Sequence, residues 1–185
     1  REEENQQVEQ FIMDSCKKLG LKNYKIILLN YLTDGQATTA MLARKYWTPK
    51  DALLIYNIDT YVEAGEMNAS DLSGDGFIPC FKAEGDHWSF VRLNETGQVV
   101  EIQEKKRISD NCTLGAYYFR TCGLYERLYA EYYSQDKHAV NGEKYVAPLY
   151  NYLLDQGGKI YVSDIAPEKV HVLGTPEELQ TFLAG

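Results

Sequence analysis

The 185-residue sequence lacks several features that define well-known protein classes. No apolar stretch reaches the roughly 20 residues of a membrane-spanning helix, and no apolar targeting segment lies near the N-terminus. The sequence contains neither Gly-x-Gly-x-x-Gly nor a Walker-type phosphate loop, so the usual cradles of dinucleotide dehydrogenases and P-loop NTPases are missing. We therefore expect a soluble protein, without a membrane partner, that belongs to neither class.

Basic charge and paired cysteines are also in short supply. Lysine and arginine total 19 against 27 acidic residues, which gives a formal net charge of −8, so nucleic-acid binding is disfavoured. The four cysteines form no Cys-x-x-Cys pair, and a chain of this size does not need a disulfide scaffold. We expect free thiols in a reducing cytoplasm.

Apolar periodicity in the first third of the chain predicts alternating helices and strands. An amphipathic helix is predicted over about 3–19, a short buried strand over 25–30, a helix over 36–46 and a strand over 52–58. Helix, strand, helix, strand in this order implies right-handed parallel crossovers. The sequence therefore predicts one α/β domain over residues 1–185, with a mostly parallel sheet and helices on both faces.

The predicted strand over 52–58 is the most informative stretch for function. Its nearly unbroken apolar run indicates a strand covered on both faces, and this strand ends at Asp59. Ligands of open α/β sheets bind in the crevice beyond the carboxyl ends of the strands, where an acid can hold a hard cation beside a phosphate. The alternative is an aspartate that only caps the following turn.

A second candidate site lies at the end of a predicted hairpin. Residues 88–93 and 98–102 flank a turn-forming segment, which predicts a small hairpin subregion. Its second strand leads into Glu104 and Lys105, and adjacent strand residues point to opposite faces. One of them can face a pocket while the other reaches around its rim. The alternative is a solvated strand end.

Five segments, taken in their order along the chain, resemble the sugar-1-phosphate nucleotidyltransferase family, the nucleoside-diphosphate-sugar pyrophosphorylases. They are Gly35-Gln36-Ala37, Asn57-Ile58-Asp59-Thr60, Ile102-Gln103-Glu104-Lys105, Leu114-Gly115-Ala116-Tyr117-Tyr118-Phe119 and Gly174-Thr175-Pro176-Glu177-Glu178-Leu179. The resemblance runs through nearly the whole chain, and its specificity lies in the order rather than in any one segment. It implies a Rossmann-like nucleotide-diphospho-sugar transferase fold. The last segment also predicts a helix start with a capping box.

The resemblance implies transfer of a nucleoside monophosphate from a nucleoside triphosphate to a sugar 1-phosphate, with Mg²⁺ as cofactor and pyrophosphate as product. It further implies a role in supplying surface polysaccharide such as a capsule. By the same resemblance, Asp59 is catalytic and holds the Mg²⁺, and Lys105 is catalytic and meets the sugar phosphate. The implied substrate-binding residues are Gly35 and Gln36 at the base, and Glu104, Gly115 and Glu143 at the sugar.

Two departures from the family pattern keep other functions open. The first strand and the glycine-rich loop that hold the triphosphate in family members are missing, so we expect this chain to lack that portion. Val172 stands where many members have a second metal-binding acid, and Asp164 is a candidate substitute. The alternatives are a non-catalytic module that binds a nucleotide sugar and a glycosyltransferase of related fold. The base, the sugar and the oligomeric state stay open.

Overall fold

The computed structural model describes residues 2–134 and 138–184, which form two compact units that divide after Leu32. In the first unit, helix α1 spans Glu2–Lys18, as predicted. The strand predicted over 25–30 does not form, and the side chains of Leu28 and Leu29 are 61% and 38% exposed. A strand needs a hydrogen-bonding partner, and the described part of this unit contains no other strand.

The second unit is a mixed α/β structure built around a seven-stranded sheet. Its strands are β1 (Leu53–Tyr56), β2 (Thr60–Val62), β3 (Gly76–Lys82), β4 (Ser89–Leu93), β5 (Val99–Glu104), β6 (Asn111–Thr113), β7 (Ala116–Phe119), β8 (Ile160–Ile165) and β9 (Val170–Val172). Its helices are α2 (Gln36–Met41), α3 (Cys122–Tyr132), α4 (Ala147–Asp155) and α5 (Pro176–Ala184). The main sheet has the order β1-β7-β3-β6-β4-β5 with β8 beside β3, and β2 pairs with β9 separately.

The prediction of a mostly parallel sheet is wrong. Among the described strands, β3 and β8 run parallel, whereas the other pairs of the main sheet are antiparallel. Parallel neighbours need a long crossover that is usually helical, whereas short connections return the chain antiparallel. The alternation of helix and strand at the start of the chain does not continue, because the described chain between β3 and β7 has no helix.

Strand β1 also differs from its prediction as a strand buried on both faces. It pairs with β7 alone within the described chain, and Leu54 and Tyr56 are 45% and 44% exposed. The strand ends at Tyr56 rather than at Asp59. An apolar run does not distinguish a strand covered on both faces from one that carries large apolar residues on an open face.

Alternate residues of the sheet build apolar cores on its two faces. On one face, Ile78 and Phe119 pack with α3 and α4, and the ring of Tyr150 from α4 is fully buried. On the other face, Phe81 packs with Val170 of β9, so the β2–β9 pair covers this side. Burial of each such side chain stabilises the fold by about 1.5–3 kcal/mol. The two cores fix the strand ends, where the candidate site lies.

Three sequence expectations concern the chain as a whole. The four cysteines are free, as predicted, and the structure places all four in buried positions. Among the described helices, none combines the length and the apolar character needed to cross a bilayer. The single domain predicted over 1–185 includes residues 1, 135–137 and 185, which lie outside the described part, and it stays a prediction.

Candidate functional site

A cleft of about 370 Å³ in the second unit brings together segments that are distant in sequence. Its lining comes from the start of α2, the β1–β2 turn, the ends of the β4–β5 hairpin, the β6–β7 connection and the turn into α5. The lining includes Gln36, Asn57, Asp59, Thr60, Trp88, Ser89, Glu104, Lys105, Thr113, Gly115, Tyr117, Tyr145, Val172, Gly174, Thr175 and Glu178. Five of the seven predicted site residues therefore share one cleft.

Backbone hydrogen bonds fix the turn that carries Asp59. The carbonyl of Asp59 accepts a hydrogen bond from the amide of Leu173 at 2.7 Å, and the amide of Asn57 donates to the carbonyl of Gly115 at 3.1 Å. No side chain or amide in the described chain donates to the Asp59 carboxylate. The turn is thus held by its main chain, which leaves this carboxylate available to a ligand in the cleft.

Glu104 lies at the end of β5, directly opposite Ser89 at the start of β4. The Ser89 hydroxyl donates a hydrogen bond to Glu104 Oε2. Burial raises the pKa of Glu104 above its usual value, while the Ser89 hydrogen bond and the positive charge of Lys105 act in the opposite direction. Glu104 is therefore a half-buried acid, and its Oε2 is held by the hydrogen bond from Ser89.

Lys105 follows directly and turns out of the strand with a positive φ of 53°. Its Nζ donates a hydrogen bond to Tyr145 Oη at 2.6 Å and lies 4.8 Å from the centre of the Tyr145 ring. This hydrogen bond is the main reason that the pKa of Lys105 is raised. The Tyr145 hydroxyl in turn donates to Glu143. Glu143 is exposed and does not line the cleft, but it is joined to it through Tyr145.

Both predicted glycines occupy positions where a side chain does not fit. Gly35 has a φ of +132°, and a Cβ there would lie 2.4 Å from the carbonyl oxygen of Lys144. Gly115 has a φ of +81°, and its Cβ would lie 2.7 Å from Asn57 Nδ2. Gly115 lines the cleft, whereas Gly35 lies beside it and leads into Gln36. Gln36 Nε2 donates to Asn57 Oδ1 at 2.5 Å, so these two amides form one wall.

The cleft offers carboxylate oxygens to a cation from two directions. A Cβ placed on Gly174 would lie 3.6 Å from Asp59 Oδ2 and 3.7 Å from Glu178 Oε2, so both carboxylates approach the same point. Val172 lines the cleft and supplies no ligand. Asp164 is exposed on β8 and faces Lys82 at 4.0 Å, so it does not replace the missing acid.

These oxygens fit a hard cation that also takes ligands from water or substrate. Within residues 2–134 and 138–184, no three histidine, cysteine or acidic side chains converge to hold a metal alone. Mg²⁺ commonly binds through one or two carboxylates together with waters and substrate phosphates. The pair of Asp59 and Glu178 has this chemistry.

Sequence reasoning missed the residues that support the predicted ones. Ser89 and Tyr145 were not singled out, and Glu178 was assigned only to the helix cap. That cap is confirmed, because Glu178 accepts from the Thr175 amide at 2.8 Å and Thr175 Oγ1 accepts from the Glu178 amide at 3.2 Å. Counting pairs back from the hairpin turn would have placed Ser89 opposite Gln103, because the register shift between Arg92 and Leu93 is not visible in the sequence, and no local signal links Tyr145 to Lys105.

The fold and the cleft together define a class of protein. It is an α/β domain whose described cleft residues carry three carboxylates and one lysine beside amide and aromatic side chains. Such a lining suits a phosphate ester that carries hydroxyl groups and is accompanied by a cation. The class is that of α/β domains with a polar, mainly acidic cleft at the ends of their strands.

Comparison with solved structures identifies the family. The nucleoside-diphosphate-sugar pyrophosphorylase from Vibrio cholerae RC9 is 31% identical, with a TM-score of 0.86 over 96% of this chain and 76% of the other. The chain therefore belongs to the nucleoside-diphosphate-sugar pyrophosphorylase family, as the sequence motifs predicted. No family model and no curated protein matches the sequence.

Two more distant structures share the fold. The inositol-1-phosphate CTP transferase from T. maritima is 14% identical, with a TM-score of 0.61 over 80% of this chain and 59% of that one. The CTP:phosphocholine cytidylyltransferase from Streptococcus pneumoniae is 10% identical, with a TM-score of 0.67 over 94% of this chain and 72% of that one. The chain thus spans between about three fifths and three quarters of the three proteins.

Proposed function

We propose that this protein is a nucleotidyltransferase that joins a nucleoside monophosphate, taken from a nucleoside triphosphate, to a sugar 1-phosphate or a related alcohol phosphate. The observation that carries the proposal is that Asp59 and the Glu104–Lys105 pair line the same cleft although 45 positions of sequence separate Asp59 from Glu104. The names of the three relatives support the reaction type, since each describes a pyrophosphorylase or a nucleotidyltransferase.

The reaction requires that the reactants are positioned and that their charge is neutralised. It needs no covalent enzyme intermediate. An oxygen of the acceptor phosphate forms a bond with the α-phosphorus, the bond from that phosphorus to the bridging oxygen breaks, and pyrophosphate leaves with the electron pair. In this proposal the Lys105 ammonium holds the acceptor phosphate, Glu104 accepts a hydrogen bond from a sugar hydroxyl, and Gln36 meets the base. Gly115 lets the backbone approach the sugar. These groups hold both reactants in line and neutralise charge.

Mg²⁺ is the cofactor of the proposal. Asp59 would hold the ion, and Glu178 would take the place of the acid that Val172 does not provide. When bound, the ion neutralises and orients the triphosphate. The use of the product for surface polysaccharide is part of the same proposal and rests on the sequence resemblance.

The test is pyrophosphate release by the full-length protein with Mg²⁺, each nucleoside triphosphate and a panel of sugar and alcohol phosphates. We expect one pair to release pyrophosphate and Asp59→Asn to lower kcat at least about 100-fold, the scale of losing one group that stabilises transition-state charge. Asp164→Asn, an exposed acid outside the cleft lining, is the matched control and should keep wild-type activity. Binding of a nucleotide sugar without pyrophosphate release from any pair would support the non-catalytic binding module instead.

A further inference from the structure

Buried hydroxyl groups stand directly behind Glu104. Among the described residues, the buried polar side chains other than tyrosines are Thr60, Ser89 and Thr113, and the last two are 6% and 3% exposed. Tyr117, which is 4% exposed, lies between them, with its Oη 3.3 Å from Ser89 Oγ and 3.0 Å from Thr113 Oγ1. Because Ser89 donates to Glu104, the four side chains form one chain of hydrogen bonds from the core to the cleft.

Four strands of the main sheet bring these groups together, with β3 lying between β6 and β7. Ser89 and Glu104 are paired across β4 and β5, so their side chains lie on the same face of the sheet. Thr113 ends β6 and Tyr117 lies in β7. Thr113 and Tyr117 lie four residues apart across the β6–β7 connection, whereas Ser89 meets Glu104 and Tyr117 only through the register of the sheet.

The direction of the hydrogen bonds follows from counting protons. A hydroxyl has one proton to donate, and Ser89 gives its proton to the Glu104 carboxylate. Tyr117 must therefore donate to Ser89, and Thr113 to Tyr117. Burial and the nearby Glu104 charge raise the pKa of Tyr117 to about 12, so its proton is present at neutral pH. All three hydroxyl dipoles then point towards the carboxylate, and such aligned bonds strengthen one another.

We propose that Ser89 is a positioning residue for Glu104, with Tyr117 and Thr113 supporting it. The Ser89 hydroxyl donates its hydrogen bond to Oε2 of Glu104 and so favours the ionised carboxylate. Oε1 of Glu104 is then left to accept a hydrogen bond from a hydroxyl of the acceptor substrate. The site therefore selects phosphate esters with a hydroxyl at that place. The identity of the ligand rests on the proposed function, whereas the effect of Ser89 on Glu104 does not.

A buried hydroxyl chain of this kind is otherwise unfavourable. Burial of a polar group without a partner destabilises the fold. The chain is satisfied because it ends on an acceptor that faces the cleft. A purely structural role for Ser89 would not require a half-buried carboxylate at the position opposite.

The test is a double-mutant cycle of Ser89→Ala and Glu104→Gln with two readouts. The first is the titration of the Glu104 carboxyl carbon by NMR in ligand-free protein, assigned by the loss of its signal in Glu104→Gln. The second is KM for the sugar 1-phosphate compared with KM for the nucleoside triphosphate. Tyr117→Phe gives a graded variant, since it leaves the Ser89 hydroxyl in place and removes the proton donated to it.

We expect Ser89→Ala to shift the Glu104 titration to higher pH and to raise KM for the sugar 1-phosphate about tenfold, with KM for the nucleoside triphosphate changed less than about twofold. Tyr117→Phe should shift the titration in the same direction by less. In the Glu104→Gln background, Ser89→Ala should cause no further increase in KM for the sugar 1-phosphate. If Ser89→Ala does not fold, the shift of the Glu104 titration in Tyr117→Phe decides whether the hydroxyl chain positions Glu104.

Three results overturn the inference. They are an unchanged Glu104 titration in both variants, equal increases in the two KM values, and an undiminished effect of Ser89→Ala in the Glu104→Gln background. The experiment also separates the two proposals. A shifted titration in a protein that releases no pyrophosphate supports the positioning role and rejects the proposed function, whereas an active protein with an unshifted titration rejects only the positioning role.

Discussion

Lys105 donates a hydrogen bond from Nζ to Tyr145 Oη at 2.6 Å, so the one lysine that lines the described cleft is held in place by the protein itself. Its ammonium lies 4.8 Å from the centre of the tyrosine ring, and its backbone has a φ of 53°. Such a conformation is unusual for a residue with a side chain, and residues of this kind cluster at functional sites. The lysine is therefore positioned before any phosphate arrives.

Removing the Tyr145 hydroxyl should change how activity depends on pH. The hydrogen bond from Lys105 to Tyr145 raises the pKa of Lys105, so Tyr145→Phe should lower that pKa towards its ordinary value. The ammonium is then lost at lower pH, and the alkaline limb of kcat/KM for the sugar 1-phosphate should move to lower pH. At neutral pH we expect a loss of about fivefold, the equivalent of about 1 kcal/mol.

The pH profile of steady-state kinetics measures this effect. The matched control is Tyr161→Phe, which removes the hydroxyl of a tyrosine on β8 that is 38% exposed. Its profile should coincide with that of the wild type. An alkaline limb at the same pH in Tyr145→Phe and in the wild type would contradict the assigned role.

Lys105→Gly should separate stability from function. Glycine adopts a positive φ without strain, which stabilises the folded state of Lys105→Gly. This gain offsets two costs, the larger conformational entropy of glycine in the unfolded chain and the loss of the contact with Tyr145. We expect a free energy of unfolding within about 1 kcal/mol of the wild type, while kcat/KM falls at least about 100-fold. Lys106→Gly, at a residue with negative φ, should lose about 0.5–1 kcal/mol of stability. Urea denaturation compares the two, and a larger loss in Lys105→Gly than in Lys106→Gly would contradict the argument.

Gly35→Ala should destabilise the fold more than Gly97→Ala. Both glycines have a positive φ, of +132° and +78°, so both substitutions strain the backbone. An added Cβ meets the Lys144 carbonyl oxygen at 2.4 Å at position 35, whereas nothing lies within 4 Å at position 97. We expect a loss of about 1–2 kcal/mol for Gly97→Ala and a further 1–3 kcal/mol for Gly35→Ala. Equal midpoints in urea would show that the Lys144 backbone yields without strain.

Glu178→Gln tests the metal ligand without removing the helix cap. A glutamine oxygen still accepts from the Thr175 amide, because the capping box works with either residue. In the presence of the nucleoside triphosphate, we expect Mn²⁺, used in place of Mg²⁺, to bind about tenfold more weakly. The neighbouring Glu177→Gln changes the same charge in the same helical turn but does not line the cleft, so its Mn²⁺ affinity should equal that of the wild type.

Calorimetric titration of Mn²⁺ distinguishes the outcomes. Asp59→Asn should weaken Mn²⁺ binding further than Glu178→Gln. Equal affinities in Glu178→Gln and Glu177→Gln would restrict Glu178 to its role as a helix cap. Wild-type affinity in Asp59→Asn would reject a metal site at this turn.

The sequence by itself determined the features that depend on neighbouring residues. The capping box at Thr175 and Glu178 and the hairpin formed by β4 and β5 were predicted and are confirmed. These elements use hydrogen bonds between residues that are close in sequence, so a local pattern specifies them. The order of the short motifs also identified the family, because it is a property of the chain rather than of its packing.

Only the tertiary structure decided how the strands pair and what stands behind each predicted site residue. The mostly antiparallel sheet, the exposed face of β1 and the contact of Tyr145 with Lys105 depend on segments that are distant in sequence. The pairing of Ser89 with Glu104 depends on a register shift within the β4–β5 hairpin. A strand can pair in either direction, and a shift of one residue turns each side chain to the opposite face. The local pattern is the same in either case, so register and direction come from the packing of the whole unit.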